Sequence, residues 1–294
     1  MTRQKATLIG FTAVLQWALL ALFTIGSAPV PPLLLNAMCF GIGGMIGVIW
    51  TVANGRAHVL RSVSWKIYTF GTLGLFGAHF LYFTAFRMAP MAETGLIAYL
   101  WPLIIVVMSG FLPNERVRPL HVLGAFIAFA GAALIVLRSG LSVEVSALPG
   151  FAVAFAFALT WASYSVLSRR LGDVPTEAVT VFCLAAAVLS GLEHLAIETT
   201  AWPQSALGWA SVVALGVGPV GIAFFNWDIG MKKGDIQLLG VASYAAPLLS
   251  TMALILVGVT QATPVLLLAA VLIAGGAGLA ARASLKSIRP ATDG

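Results

Sequence analysis

Aromatic and polar side chains lie together in several apolar segments of this 294-residue chain. His79 and Tyr82 are three residues apart, which places them on one face of a helix. Aromatic faces bind ammonium groups at about 0.5–2 kcal/mol and stack on aromatic solutes. Imidazole and amide donors bind carboxylates. These residue types predict a noncovalent site for a zwitterionic or aromatic solute, with the following binding candidates: Trp17, His79, Tyr82, Tyr99, Trp101, Asn226 and Tyr244.

Catalytic and metal-binding patterns are not visible in the sequence. Ser163 and Ser165 are the nearest approach to a nucleophile, with Asp228 as a partner, and no recognisable motif supplies a base. Cys39 and Cys183 lie in apolar runs without the spacing of a metal site. We therefore expect no enzymatic activity, no cofactor and no metal. An intramembrane enzyme is the rival hypothesis from another class.

The composition is that of a membrane protein. Hydrophobic residues make up 60% of the chain and charged residues 9%, against about a quarter charged in soluble proteins. Basic residues fall between apolar runs instead of clustering, which argues against nucleic acid as a partner. The sequence predicts an all-α integral membrane protein with ten transmembrane helices at roughly 6–26, 33–53, 66–86, 92–112, 119–137, 147–168, 176–197, 206–229, 237–257 and 264–281.

The distribution of basic residues predicts the orientation of these spans. Of the sixteen Lys and Arg residues, fourteen fall at one set of span ends, and only Arg87 and Arg138 fall at the other. The positive-inside rule then places both termini in the cytoplasm. An even number of spans agrees with that placement. We expect a multi-pass protein of a bacterial-type inner (plasma) membrane, in contact with membrane lipid.

The second half of the chain repeats the first. An offset of 144 residues, becoming 145 after one insertion, aligns identical Trp, Pro, Gly, Cys and aromatic residues along the whole chain. Each half has five spans, so the second half enters the bilayer from the opposite side, as in transporters built from inverted repeats. The predicted repeats are 1–140 and 141–294, and together they form one transport domain. The aligned pairs include Phe11 with Phe155, Trp17 with Trp161, Trp65 with Trp209, Gly74 with Gly218, Tyr99 with Tyr244, Pro102 with Pro247 and Gly131 with Gly276.

These features resemble the drug/metabolite transporter superfamily in its ten-helix EamA-type branch. The resemblance rests on the two five-span repeats, a Trp in the first span of each half and a Pro in the fourth. Two segments, 77–86 and 94–102, are similar to those of YddG-type exporters of aromatic and other amino acids. The resemblance implies alternating-access export of neutral amino acids and related small organic compounds through a central, largely uncharged, aromatic-lined cavity.

Pro102 and Pro247 lie near the middle of their spans, where each removes a helical hydrogen bond. They predict either a pair of hinges beside a midplane binding site or kinks that only shape packing. No Lys or Arg lies in the middle of any span, which disfavours phosphate-bearing substrates. The alternatives are an exporter of drugs or organic cations from the same superfamily and a non-transporting membrane sensor or assembly protein.

The sequence leaves both the energy coupling and the oligomeric state open. His79 and Glu93 are the candidates for proton coupling, and facilitated diffusion is the alternative. Glu193, His194 and Asp228 lie near span ends, where local ion pairs are expected. Spans 5 and 10 are rich in Gly and Ala and are assigned to scaffolding or to a homodimer contact. The protein is therefore expected to be a monomer or a homodimer.

Overall fold

The computed structural model describes residues 1–137, 145–171 and 173–288. Within these ranges every regular element is helical. The long helices are α1 (Arg3–Gly26), α2 (Pro32–Ala53), α3 (Trp65–Met88), α4 (Met91–Ser109), α5 (Pro119–Val136), α6 (Leu148–Arg170), α7 (Ala178–Ile197), α8 (Ala206–Lys233), α9 (Ile236–Leu256) and α10 (Pro264–Ile288).

Nine of the long helices in the described ranges have the length and apolarity needed to cross a membrane. The remaining one, α3, is 24 residues long but less apolar, because His79, two tyrosines and several threonines and glycines lie in it. The prediction of an all-α membrane protein is confirmed, and each predicted span corresponds to one long helix. Arg138, Arg289 and the boundary between residues 140 and 141 lie outside the described residues.

Two helices break at equivalent positions. The helical pattern of α4 is interrupted at Tyr99 and Leu100, and that of α9 at Ser243 and Tyr244. Each break begins three or four residues before a proline that cannot donate a backbone hydrogen bond, Pro102 or Pro247. Tyr99 and Tyr244 are aligned by the sequence repeat, so the breaks occupy matching places in the two halves.

Two further irregularities face each other across the α1–α8 contact. The α1 helix is interrupted after Trp17, and α8 contains a five-residue π-helical turn at Gly218–Ile222. Pro219 lies in this turn and cannot donate to the helical ladder. Single π turns inside α-helices are frequent at functional sites.

The helices pack in pairs across the two halves. Contacts between the halves include those of α1 with α8, α3 with α6, α2 with α7, α4 with α9 and α5 with α10. The sequence repeat relates α1 to α6 and α3 to α8, so the α1–α8 pair corresponds to the α6–α3 pair. Each of the remaining three pairs joins two helices that the repeat relates to each other. Such a set of helix pairs is expected when two structurally related halves pack against each other.

Small residues allow α5 and α10, the two spans assigned to scaffolding, to pack backbone against backbone. A Cβ atom added at Gly124 would lie 2.5 Å from the Gly276 carbonyl oxygen, and one added at Gly131 would lie 2.9 Å from the Ala269 carbonyl oxygen. The 145-residue offset aligns Gly124 with Ala269 and Gly131 with Gly276, so the two contacts are equivalent in the repeat. Close approach of this kind is the usual basis of helix association in membranes.

Gly276→Ala should therefore destabilise the protein, whereas Gly275→Ala should not. A Cβ at Gly276 would meet the Gly124 carbonyl and Ala128, while a Cβ at Gly275 has nothing within 4 Å. We expect Gly276→Ala to cost about 1–3 kcal/mol through overpacking, seen as a lower melting temperature in detergent. Gly275→Ala is the matched control, because it adds the same methyl group one residue away. Equal melting temperatures for the two variants would contradict the packing.

Candidate functional site

Four tryptophan side chains meet where four helices cross. This tryptophan cluster consists of Trp17 from α1, Trp101 from α4, Trp161 from α6 and Trp227 from α8. All pairs of ring centroids lie between 4.9 and 6.4 Å apart. Most pairs are edge to face, an arrangement worth about 0.5–1.5 kcal/mol per pair beyond the area buried. The cluster is a rigid aromatic surface in the interior of the bundle.

Phe224 connects this cluster to His79. Its ring centroid lies 6.3 Å from that of Trp17 and 5.8 Å from that of Trp161. On its other side it lies 5.8 Å from the His79 ring and stacks on Phe40 at 5.4 Å. The His79 imidazole therefore forms part of the same aromatic assembly, as one of its few polar members.

The indole N–H groups of the cluster fall into two classes. Trp17 Nε1 donates to the Pro219 carbonyl oxygen at 3.0 Å, and Trp227 Nε1 donates to the Ser165 hydroxyl at 3.0 Å. Within the described ranges, the Nε1–H groups of Trp101 and Trp161 have no acceptor. Two positioned donors are thus available to a bound solute.

The free donor on Trp161 arises from a difference between the halves. The 144-residue offset relates Trp17 to Trp161 and Pro219 to Leu75. In one half Trp17 donates to the Pro219 carbonyl, whereas in the other the Leu75 carbonyl accepts from His79 at 2.8 Å. His79 thus bonds to the carbonyl that corresponds to the Trp17 acceptor, and Trp161 makes no equivalent bond to a described residue.

The same bond fixes the neutral tautomer of His79. A carbonyl oxygen can only accept, so His79 Nδ1 carries the proton in the bond to Leu75. In the neutral ring Nε2 then has a free lone pair and can accept from a solute ammonium or hydroxyl. The aromatic assembly thus combines an acceptor on His79 with donors on Trp101 and Trp161.

Ion pairs lie at both ends of the bundle. At the end that contains the start of α1, which we call the charged end, Lys232 pairs with Asp228 at 2.8 Å and Arg169 pairs with Glu115. At the opposite end Arg87 pairs with Glu198. Of the three residues expected to form local ion pairs, Asp228 pairs with Lys232 and His194 contacts Glu198. The other acidic candidate, Glu93, is buried in the first turn of α4.

Tyr82 and Tyr99 lie between the opposite end and the tryptophan cluster. Tyr82 is 36% exposed and contacts Phe86 and Phe157. Tyr99 is partly buried at the break in α4. By contrast Trp101 is only 8% exposed. Accessibility thus falls from Tyr82 towards the cluster.

Tyr244 lies in a different part of the core. It packs on Phe129 with ring centroids 5.9 Å apart, and its hydroxyl accepts from the Leu103 backbone N–H at 3.1 Å. That N–H lies in the first turn after the α4 break, where intrahelical acceptors are missing. The contact makes Tyr244 a support for the break.

Asn226 lies on the α1–α8 contact, where its amide donates to the Thr12 hydroxyl at 2.8 Å. The neighbouring residue Trp227 points into the cluster instead. Four aromatic residues of the assembly were not among the sequence candidates: Phe40, Trp161, Phe224 and Trp227. The alignment of Trp161 with the candidate Trp17 was a usable signal for one of them. For Trp227 no comparable signal exists.

Apolar helices with paired breaks around an uncharged aromatic site are typical of membrane transport proteins. The model of the EamA-like transporter family matches this chain twice, at residues 4–137 and 148–282. The chain belongs to the EamA-like transporter family. Because each half matches the same model, each half carries one copy of the family's unit.

Several similar proteins have names or structures. An aromatic amino acid exporter YddG of Ancylobacter novellus is 50% identical over 95% of this chain and 98% of its own length. The YddG exporter of Escherichia coli is 26% identical over 85% of this chain and 88% of its own length. A crystal structure with 50% sequence identity superposes with a TM-score of 0.92, covering 97% of this chain and 100% of the other.

Proposed function

We propose that this protein exports aromatic and other neutral amino acids, and related small organic compounds, across the inner membrane by alternating access. The observation that carries the proposal is the tryptophan cluster, an uncharged aromatic surface with free donors between ion pairs at both ends. The name of the 50% identical relative, an aromatic amino acid exporter, supports the same substrate class. The match of each half to one transporter family supports the two-repeat architecture.

The chemistry of the aromatic assembly suits an amino acid zwitterion. Indole faces attract the ammonium group at about 0.5–2 kcal/mol, and the neutral His79 Nε2 can accept one of its protons. The free N–H groups of Trp101 and Trp161 can donate to the carboxylate. An aromatic side chain stacks on the remaining rings. No fixed charge is needed, which permits several neutral amino acids to bind.

The breaks near Pro102 and Pro247 supply the movement. An interrupted helix can change its angle at the break without breaking further backbone hydrogen bonds. In this proposal the two halves exchange conformations by pivoting at Tyr99 and Tyr244, which opens the cluster to each side in turn. The charged end faces the cytoplasm, so both termini are cytoplasmic, as the positive-inside rule requires.

Uptake into liposomes that contain the purified protein tests the proposal. Labelled phenylalanine should enter with saturable kinetics, and unlabelled neutral amino acids should compete for uptake. A nucleotide sugar should not compete, because the cluster holds no cation for its phosphates. Selective transport of an organic dication without any amino acid transport would instead establish the drug or organic cation exporter.

Uptake into the same liposomes distinguishes facilitated diffusion from proton-coupled transport. If transport is facilitated diffusion, an imposed pH gradient leaves the final phenylalanine concentration inside the liposomes unchanged. If a pH gradient drives accumulation above equilibrium, a titrating group inside the protein is required. The variants His79→Gln and Glu93→Gln then identify it, because only loss of the coupling residue leaves transport independent of the gradient.

A further inference from the structure

A cavity lies at the charged end, outside the tryptophan cluster. Its volume is about 600 Å³, within the range of about 300–1,000 Å³ usual for small-molecule sites. Both charge signs line it. The lining residues come from the α4–α5 connection and from the ends of α6 and α8: Leu112, Pro113, Asn114, Glu115, Arg169, Arg170 and Lys232.

Two of the three cations that line this cavity already have carboxylate partners. Arg169 pairs with Glu115, and Lys232 pairs with Asp228. Arg170 differs, since its one hydrogen bond to a described residue runs from Nη2 to the Phe111 carbonyl oxygen at 3.3 Å. The remaining guanidinium N–H groups of Arg170 are therefore available to an anion, and a guanidinium binds a carboxylate in bidentate geometry.

Glu115 provides the complementary charge. Its Oε2 accepts from Arg3 and from Gln237, and its Oε1 accepts from Arg169 alone. A carboxylate oxygen can accept about two hydrogen bonds. Oε1 thus has capacity for one further donor, such as an ammonium group. An acceptor on Glu115 and donors on Arg170 in one cavity match the two charges of a zwitterion.

The position of this cavity relates it to the tryptophan cluster. Arg169 follows Ser165, the acceptor of the Trp227 indole, by four residues on α6. Lys232 follows Trp227 by five residues on α8. A rise of 1.5 Å per residue places the two sites only about 6–8 Å apart along the bundle. The cavity therefore lies on the way from the charged end to the cluster.

We propose that this cavity is a second amino acid site, which binds the solute's carboxylate at Arg170 and its ammonium group at Glu115 before transfer to the tryptophan cluster. The proposal rests on the proposed function for its place in transport, but binding can be measured separately. It differs from the central site in using fixed charges. The cavity therefore recognises the amino acid backbone through charged groups, whereas the cluster recognises it through uncharged donors and acceptors and also stacks on an aromatic side chain.

Protection of an introduced thiol tests this site. Pro113 lines the cavity and is exposed, and both natural cysteines are buried. In a Pro113→Cys protein, phenylalanine should slow labelling of the new thiol by a hydrophilic maleimide. Adding Arg170→Gln should raise the half-protecting concentration roughly tenfold or more, because a charge-assisted hydrogen bond is lost.

Two control variants distinguish binding in this cavity from a general loss of surface charge and from binding at the central cluster. Arg116→Gln removes an exposed arginine from the same connection that does not line the cavity, and it should leave protection unchanged. Trp101→Ala damages the central cluster and should also leave protection unchanged. Protection that Trp101→Ala abolishes, or that Arg170→Gln leaves intact, would overturn the second site, as would absence of protection by phenylalanine.

The outcomes also separate this proposal from the proposed function. Phenylalanine transport by the Pro113→Cys protein without protection of its thiol would leave the exporter standing and remove the second site. Protection that Arg170→Gln weakens, in a protein that carries no phenylalanine, would keep the site and remove the exporter.

Discussion

Replacing Trp101 with alanine should lower the initial rate of phenylalanine transport about 30-fold or more at low substrate concentration. The substitution removes an aromatic surface, worth about 0.5–1.5 kcal/mol, and a free donor for the carboxylate, worth about 1.5–3 kcal/mol. The Trp101 ring contacts three other indoles, so its loss also loosens the cluster. The measurement is labelled phenylalanine uptake into liposomes at matched protein content.

Two further variants interpret this result. Trp65→Ala is the matched control, because Trp65 is 71% exposed at the start of α3, and it should transport like the wild type. Trp101→Phe retains an aromatic ring but lacks the N–H group, so it should fall between the wild type and Trp101→Ala. Wild-type transport of every substrate by well-inserted Trp101→Ala protein would remove Trp101 from the site.

Replacing Asp228 with asparagine should destabilise the folded protein by about 3–5 kcal/mol, the cost of leaving a buried charge without its partner. Asp228 and Lys232 are 2% and 8% exposed. The Lys232 ammonium group donates to Asp228 and to the Val174 carbonyl, and Thr176 also donates to Asp228. The variant should show a large fall in melting temperature in detergent.

A double variant distinguishes lost pairing from lost packing. Asp228→Asn combined with Lys232→Gln removes both charges and should recover most of the melting temperature. Arg61→Gln is the surface comparison, because Arg61 is exposed, and substitutions of exposed residues usually change stability by no more than about 0.5 kcal/mol. If the double variant were no more stable than Asp228→Asn alone, the buried charge would not be the cause.

The order of the helices and the two proline breaks could be predicted from the sequence, because both depend on local properties. Long apolar runs require helices in a membrane, and a proline interrupts a helix wherever it lies. The choice of Trp101 also depended on a local feature, its position beside Pro102. Which side chains face the site depends on how each helix is rotated about its own axis, and this was harder to predict.

The α8 helix illustrates that difficulty. Sequence reasoning selected Asn226 because it is polar, but Trp227 and Phe224 face the aromatic assembly. The π-helical turn at Gly218–Ile222 adds a residue to one turn and thereby rotates the following part of the helix by about 100°. Such a turn leaves no periodic pattern in the sequence, so the face that meets α1 could not be read from spacing.

Tyr244 shows a second limit of sequence reasoning. The repeat aligns it with Tyr99, and both were treated as binding candidates because they are polar aromatic residues near the two prolines. In the folded protein Tyr99 is partly buried at its own break, while the Tyr244 hydroxyl accepts from Leu103 on the opposing helix. Equivalence in sequence does not require equivalent contacts, because the neighbours of the two residues differ.

Counterflow is the most direct test of the proposal that this protein is an alternating-access carrier for amino acids. Liposomes containing the protein are loaded with unlabelled phenylalanine and diluted into a trace of labelled phenylalanine. A carrier that exchanges the two should accumulate label transiently above its external concentration, and Trp101→Ala should greatly reduce this overshoot. Label that only equilibrates, at a rate unaffected by the internal phenylalanine, would contradict a carrier whose central site faces each side in turn.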